Sequence, residues 1–257
     1  MKMVFLTGEN KLVGDKVYIN DSTDVKHLKK VQRVKIGEEI EAFDVETSRK
    51  YLVKIVDMNN EGLLGRVVSF FTIQKPKPFV FILQGLVQKG TFEDELHKLS
   101  ELGVDYIVPI LGRHSQNFPI NDKYKERLSR ICIESAKQVG NPFPSSILDP
   151  ISILRNFEDV EKLINSTEGS KKKIILTWQE VNGKEPKNLL EVIDELKGVD
   201  NIFVAVGSEG GFTSEEEQGF GKLGFEPVHL GREIFLKSDT VCIGVSFVLR
   251  LLRYKQV

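Results

Sequence analysis

A chain of 257 residues is long for one domain and short for three, which leaves one large or two modest domains. With 40% hydrophobic and 28% charged residues it has the composition of an ordinary soluble globular protein, which excludes a disordered chain. The net charge of −1 excludes a uniformly basic nucleic-acid coat.

The first residues, Met1–Leu6, give way at once to Thr7, Gly8 and Glu9, so no signal peptide is expected. Strand-length apolar or alternating runs follow at Lys16–Ile19, Glu38–Phe43, Tyr51–Val56 and Leu63–Phe70, punctuated by Gly37, Asn59–Asn60 and Gly62. Between the first two of them Val25, Leu28 and Val31 fall at helical spacing behind Ser22–Thr23–Asp24, which can cap a short helix. That stretch carries Lys26, Lys29, Lys30, Arg33 and Lys35 and no acid from 26 to 35. Such a cluster can contact phosphates, or it can be a solvated helix face. Lys75–Pro76–Lys77–Pro78 then excludes helix and central strand and marks a stiff linker.

Beyond the linker the pattern changes. Phe79–Leu83, Val104–Leu111, Lys173–Thr177, Ile202–Val206 and Glu226–Leu230 read as short buried strands. Phe92, Leu96 and Leu99 share one helix face ahead of Gly103. Leu128, Ile131, Cys132, Ala136 and Val139 share another ahead of Gly140–Asn141–Pro142. Alternating strands and helices imply a mostly parallel α/β sheet, whose ligands sit outside the carboxyl ends of the strands.

Two loops carry the chemistry. In the first, Val204–Ala205–Val206 runs into Gly207–Ser208–Glu209–Gly210–Gly211, and Thr213-x-x-Glu216 reads as a capping box opening a helix. A plain turn needs one glycine; three let the backbone approach a ligand, with Glu209 placed to hold an amine, hydroxyl or ribose. The second loop runs from Gly231 to Thr240 and leads into a helix marked by Val241, Val245, Val248, Leu249 and Leu252, which Ser238 or Asp239 can cap. Gly219-x-Gly221-x-x-Gly224 has the dinucleotide spelling but falls in or at the end of a helix, so it is read as accidental. A P-loop, a Gly-x-Ser-x-Gly elbow and a His-Glu-x-x-His motif are lacking, and His27, His97, His114 and His229 have no metal-ligand spacing. Cys132 and Cys242 stand too far apart for a disulfide framework or zinc site, and no apolar run approaches the ~20 residues that span a bilayer, so the cytosol is expected, without membrane or metal.

In order, these blocks resemble the SPOUT superfamily of knotted methyltransferases, and within it the family that methylates N3 of a uridine in 16S ribosomal RNA. His27–Leu28–Lys29–Lys30–Val31–Gln32–Arg33 is similar to that family's His…Val-Leu-Arg stretch. Lys98-x-x-Glu101–Leu102–Gly103–Val104…Pro109 and Glu134–Ser135–Ala136–Lys137–Gln138–Val139–Gly140 are similar to its next two blocks. Gly207–Gly211 resembles Gly-Pro-Glu-Gly-Gly, and Leu230–Gly231…Leu236–Lys237–Ser238–Asp239–Thr240 resembles Leu-Gly…Leu-Arg-Thr-Glu-Thr.

The resemblance implies a small N-terminal PUA-like β-barrel over 1–73 and a methyltransferase domain over 74–257. The latter would have a parallel sheet with helices on both faces and a C-terminal trefoil knot, a rare exception to unknotted topology. It implies S-adenosylmethionine at Leu176, Thr177, Gly207, Gly210, Leu230, Gly231, Ile234, Leu236 and Ser238. RNA, free or in the assembled small subunit, would lie across a homodimer and meet Lys26, Lys29, Lys30, Arg33, Lys89 and His114. Lys237, at the family's arginine position, is expected to stabilise charge on the uridine oxygens, and Glu209 to act as base or to order the loop.

The departures are Ser208 for proline, His114–Ser115 for Arg-Ser, Asn141 for the arginine after Gly140, and Lys237-x-Asp239–Thr240 for Arg-x-Glu-Thr, with one apparent extra residue in the loop before it. Lysine and histidine lack the bidentate fork of arginine. Two readings therefore stand beside the enzyme: a knotted protein that grips RNA without turnover, and a methyltransferase with another RNA target.

Overall fold

The computed structural model describes residues 2–231 and 236–254, with Tyr254 described by its backbone alone. The chain divides into two compact units, Met1–Lys75 and Pro76–Val257.

The first unit orders β1 (Met3–Phe5), β2 (Lys11–Val13), β3 (Lys16–Ile19), α1 (Ser22–Lys26), a π turn (His27–Val31), β4 (Glu39–Asp44), β5 (Arg49–Met58) and β6 (Leu63–Thr72). The sheet runs β1-β4-β5-β6-β3-β2, antiparallel except where β1 joins β4. The expected barrel is thus a mostly antiparallel sheet whose end strands, β1 and β2, do not pair with each other among the described residues. Buried Asn10 stitches the connection between those edges. Its amide donates to the Phe5 carbonyl (3.1 Å) and the Asp24 carboxylate (2.6 Å), and its oxygen accepts from Asn20 and Asp21 N–H. The residue that caps α1 is Asp21, accepting from Thr23 and Asp24 N–H, rather than any of Ser22–Thr23–Asp24. Val25 and Leu28 are buried as their spacing predicts, whereas Val31 is 67% exposed. The π turn adds a residue to the helical period, and Val34 takes the core position instead.

The second unit orders β7 (Phe79–Gly85), α2 (Lys89–Leu102), β8 (Tyr106–Leu111), α3 (Asp122–Val139), β9 (Ser146–Ile147), β10 (Ile151–Ser152) and α4 (Glu158–Ser166). It continues through β11 (Lys171–Leu176), β12 (Lys187–Asn188), α5 (Leu189–Val192) with a 3₁₀ turn (Ile193–Leu196), β13 (Asn201–Val206), α6 (Ser214–Lys222), β14 (Glu226–His229) and α7 (Ser238–Tyr254). Every pairing between these strands is parallel, in the order β10-β8-β7-β13-β11-β14-β12, with β9 also on β8.

Alternation along β13 explains its unbroken apolar run. Ile202, Val204 and Val206 face a core shared with Phe92 and Leu96 of α2, Leu128 of α3 and Val245 and Leu249 of α7. Phe203 and Ala205 face a second core with Val160 of α4 and Phe220 of α6. Strands covered on both faces need no polar side, so they read as continuous hydrophobics. Gly103 and Gly140 close α2 and α3 in the left-handed conformation, φ +81° and +68°, as their places predict. Val139, expected on the buried face of α3, is 50% exposed because it stands in the last turn. Gly219 and Gly221 lie inside α6 and are packing glycines. A Cβ there would stand 2.2 Å from the Phe157 ring and 2.5 Å from Val181 Cγ1.

Candidate functional site

From β7 the chain steps to β8 on one side, while β13 lies on the other, so the carboxyl ends of β7 and β13 flank a topological switch point. Gly85 ends β7, and a Cβ on it would stand 2.5 Å from Ser208 N, so at this point the two strand ends meet backbone to backbone. Gly207 is packed just as closely, since its Cβ would meet Gly211 Cα at 2.7 Å. The loop closes on itself through Gly211 N–H to the Ser208 carbonyl (2.9 Å), and Gly211 supplies the φ of +70° that this tight turn demands.

Polar contacts fasten the loop on three sides. Ser208 Oγ donates to the His114 carbonyl (2.8 Å), and His114 Nδ1 lies 2.9 Å from the Gly210 carbonyl. Glu209 Oε1 accepts from Gln88 N–H at 3.0 Å. Gln88 is the N-cap of α2 and makes no side-chain cap of its own, so the Glu209 carboxylate complements that helix terminus. The capping box on α6 forms as expected. Its Glu216 carboxylate also accepts from Arg113 N–H (2.6 Å), tying the loop after β8 to the loop after β13.

Beneath the loop lies Gln84, wholly buried at the end of β7. Its Nε2 donates to Gly85 O (2.9 Å), Gly207 O (3.3 Å) and Ser238 Oγ (2.9 Å), while Ser238 Oγ donates to Gly207 O. The Ser238 hydroxyl is therefore engaged with the glycine loop, and the Asp239 carboxylate accepts from Thr240 N–H. Lys237 is exposed directly before α7, and its carbonyl accepts from Val241 N–H (2.9 Å).

The second strand-end cluster forms beside it. Leu176, Leu230, Leu236 and Val241 wall a 40 Å³ slot with Thr177, Trp178 and His229. A groove of 1110 Å³ shares His229, Leu230 and Leu236 and takes in Gly231. Trp178 and His229 stack at 5.4 Å, and His229 Nδ1 accepts from Gly231 N–H (3.1 Å). Thr177 Oγ1 donates to Glu217 Oε1 (2.5 Å) and accepts from Gln179 N–H (3.0 Å). Burial raises the Glu217 carboxyl above the usual range against this bond, and the neighbouring Glu216 charge adds to the rise.

The structure thus gathers Gly207, Glu209, Gly210, His114 and Ser238 in one place, and Leu176, Thr177, Leu230, Gly231 and Leu236 in an adjoining one. Ile234 lies outside the described residues. Lys89 is exposed at the start of α2, with its Nζ 4.2 Å from the centre of the Tyr124 ring. In the first unit Lys26, Lys30 and Arg33 are exposed, and the Lys29 ammonium donates to the Asn59 carbonyl. Gln84, Gln88, Trp178 and Glu216 were not singled out as site residues by the sequence reading. Gln84 carried a signal: it is the lone polar residue within the apolar run Phe79–Val87 apart from Gly85. Among the described residues no cluster of His, Cys, Asp and Glu could hold a metal, and no helix is long and apolar enough to cross a membrane.

A parallel α/β sheet with a glycine loop and a helix start meeting at its switch point defines a small-molecule-binding α/β domain, here joined to a separate β-rich unit. The model of the RNA methyltransferase domain matches residues 74–249, and that of the RNA methyltransferase PUA domain matches 19–68. The chain belongs to the RNA methyltransferase family. It is 27% identical over 228 residues to the ribosomal RNA small subunit methyltransferase E of Aquifex aeolicus, covering 88% of this chain and 90% of that one. It is 24% identical over 238 residues to the enzyme of the same name from Rickettsia conorii, covering 92% and 90%. The same fold occurs in the crystal structure of a ribosomal RNA small subunit methyltransferase E from Neisseria gonorrhoeae bound to S-adenosyl methionine, at a TM-score of 0.75, 24% identity and 98% coverage of both chains.

Proposed function

We propose that the protein transfers the methyl group of S-adenosylmethionine to N3 of a uridine in the 16S RNA of the small ribosomal subunit. The observation that carries this reading is the glycine loop at the β7–β13 switch point, pinned to Gln84 and Ser238, in a chain of the RNA methyltransferase family. Relatives named ribosomal RNA small subunit methyltransferase E support the substrate class, and the S-adenosyl methionine bound by the Neisseria gonorrhoeae protein supports the donor.

The residues fit that donor. Leu176, Leu230 and Leu236 offer apolar walls for a nucleoside base, and the strand-end backbone at Gly207, Gly210 and Gly231 offers polar groups beside them, with Thr177 and Ser238 completing the set. S-adenosylmethionine supplies an electrophilic methyl on a sulfonium. The chain's part is to bring uridine N3 to that methyl and to deal with its proton. N3–H is a weak acid flanked by two carbonyls, so negative charge develops on the uridine oxygens as the proton passes to solvent water. Lys237, exposed at the positive end of α7, stabilises that charge. Glu209, already engaged with Gln88 N–H, holds the loop in place. The target base must be unstacked to reach the crevice.

His114, Lys89 and the basic cluster of exposed Lys26, Lys30 and Arg33 with half-buried Lys29 meet the RNA backbone. The return of α7 to the glycine loop through Ser238 supports the trefoil knot, and the exposed Phe247 and Leu251 on α7 support a homodimer. A cytosolic location follows from an RNA substrate in the ribosome.

The test is transfer itself. Protein, isotopically labelled S-adenosylmethionine and either free 16S RNA or assembled small subunits are incubated, and the RNA is mapped by reverse transcription. N3 methylation removes the N–H used in base pairing, so a single strong stop at one uridine is expected. Label at another base, or none in either substrate, would sink the uridine-N3 assignment.

A further inference from the structure

The chain holds a buried carboxyl that the methyl-transfer reading does not use. Glu95, on α2, is 1% exposed, and neither of its oxygens has a hydrogen-bond partner among the described residues. It lines a cleft of 610 Å³ where α2, the end of α3 and the start of α7 meet, with Thr91, Asp94, Glu101, Gln138 and Asp239 as polar walls. A buried carboxylate without a counter-charge is strongly disfavoured. Burial above all, helped by the Asp239 and Glu209 charges, pushes the Glu95 carboxyl up to about 8. At neutral pH it is therefore protonated while the cleft holds no cation.

We propose that this cleft is a binding site for an organic cation, an ammonium or guanidinium group, gripped between Glu95 and Asp239. The charges facing Glu95 set the ligand class. From α2 come Asp94, His97, Lys98 and Glu101; from α7 come Asp239 and the buried thiol of Cys242; the glycine loop brings Glu209, and α3 brings only neutral Gln138. Lys98 is committed to Glu101 (3.4 Å) and His97 Nδ1 to Ser135 Oγ (2.7 Å), so acids dominate the opening. A phosphate is repelled there, and among the described residues no metal-holding cluster exists. A cation with several N–H donors satisfies both Glu95 oxygens and ionises the carboxyl. The inference does not rest on methyl transfer. It does place a ligand next to Ser238, whose hydroxyl holds the glycine loop, so occupancy and the loop share the start of α7.

Such a cation comes from a free amine or from a Lys or Arg side chain of a second copy of the chain. Calorimetric titration of the full chain with ethylguanidinium tests the site, because a guanidinium keeps its charge throughout the working pH range. Binding is coupled to loss of the Glu95 proton, so affinity is expected to rise about tenfold from pH 7 to pH 9. Glu95→Gln copies the neutral carboxyl in shape; it is expected to abolish that slope and weaken binding at pH 9 at least about tenfold. Asp239→Asn weakens binding and moves the slope to lower pH without abolishing it, since the Asp239 charge adds to the rise that burial gives Glu95. Spermidine binding with the same Glu95 dependence identifies a free amine as occupant. Glu95-dependent self-association in sedimentation, competed by ethylguanidinium, identifies a side chain of the second copy. If Glu95→Gln changes neither binding, its pH profile nor self-association, the site does not exist.

Discussion

Replacing Lys237 by alanine is expected to lower kcat by about 10²- to 10³-fold, the usual loss when one group that stabilises developing charge is removed. The residue is exposed one position before Ser238 and the first turn of α7, where the helix adds its own positive potential. In the proposed mechanism its charge acts only as uridine N3 gives up its proton, so KM for S-adenosylmethionine should stay within about threefold. Lys237→Arg should retain most of the activity, since it restores a fixed positive charge at the same place. Single-turnover methyl transfer at saturating donor reads both effects. Unchanged kcat in the alanine variant would remove Lys237 from the mechanism.

The largest loss of stability is expected at Arg253, in the last turn of α7. Arg253 and Asp105 form a buried ion pair, and the guanidinium also donates to the carbonyls of Pro78 and Gly103 (2.6 Å). Asp105 in turn accepts from Val80 N–H at 2.7 Å, so one cluster fastens the start of β7, the end of α2 and the end of α7. Arg253→Met keeps the apolar stem and strands the Asp105 charge in the interior. Breaking a buried pair in this way costs about 3–5 kcal/mol, which lowers the melting midpoint by roughly 10 °C. Changing both partners, Asp105→Asn with Arg253→Met, should recover part of the loss because no charge is then left buried. Denaturant titrations of the three variants decide it; equal stability of Arg253→Met and the parent would show that the cluster is not what anchors the helix.

The parallel sheet was legible in the sequence because its central strands are buried on both faces and read as apolar runs such as Ile202–Val206, whereas the two-residue strands β9, β10 and β12 show no such run. Helix ends were legible where a left-handed glycine or a capping box marks them, as at Gly103, Gly140 and Thr213–Glu216. The short edge strands Met3–Phe5 and Lys11–Val13 were not, since three residues show no period. Val31 was misplaced because a π turn changes the helical period locally, and nothing in the spacing of Val25, Leu28 and Val31 announces it. At the site, Gly207 and Gly210 stood out by composition. What pins them did not: Gln84 and Ser238 are 154 residues apart and meet only once the sheet is assembled. Glu95 looked like any charged residue on a helix, because burial by α7 is a property of the packed molecule alone.

S-adenosylmethionine is expected in the crevice at the carboxyl ends of β13, β11 and β14. Calorimetric titration of the purified chain with S-adenosylmethionine tests it most directly. Saturable binding at about one site per chain in the micromolar range is expected. A folded protein that takes up none, whether alone or with 16S RNA present, would contradict it.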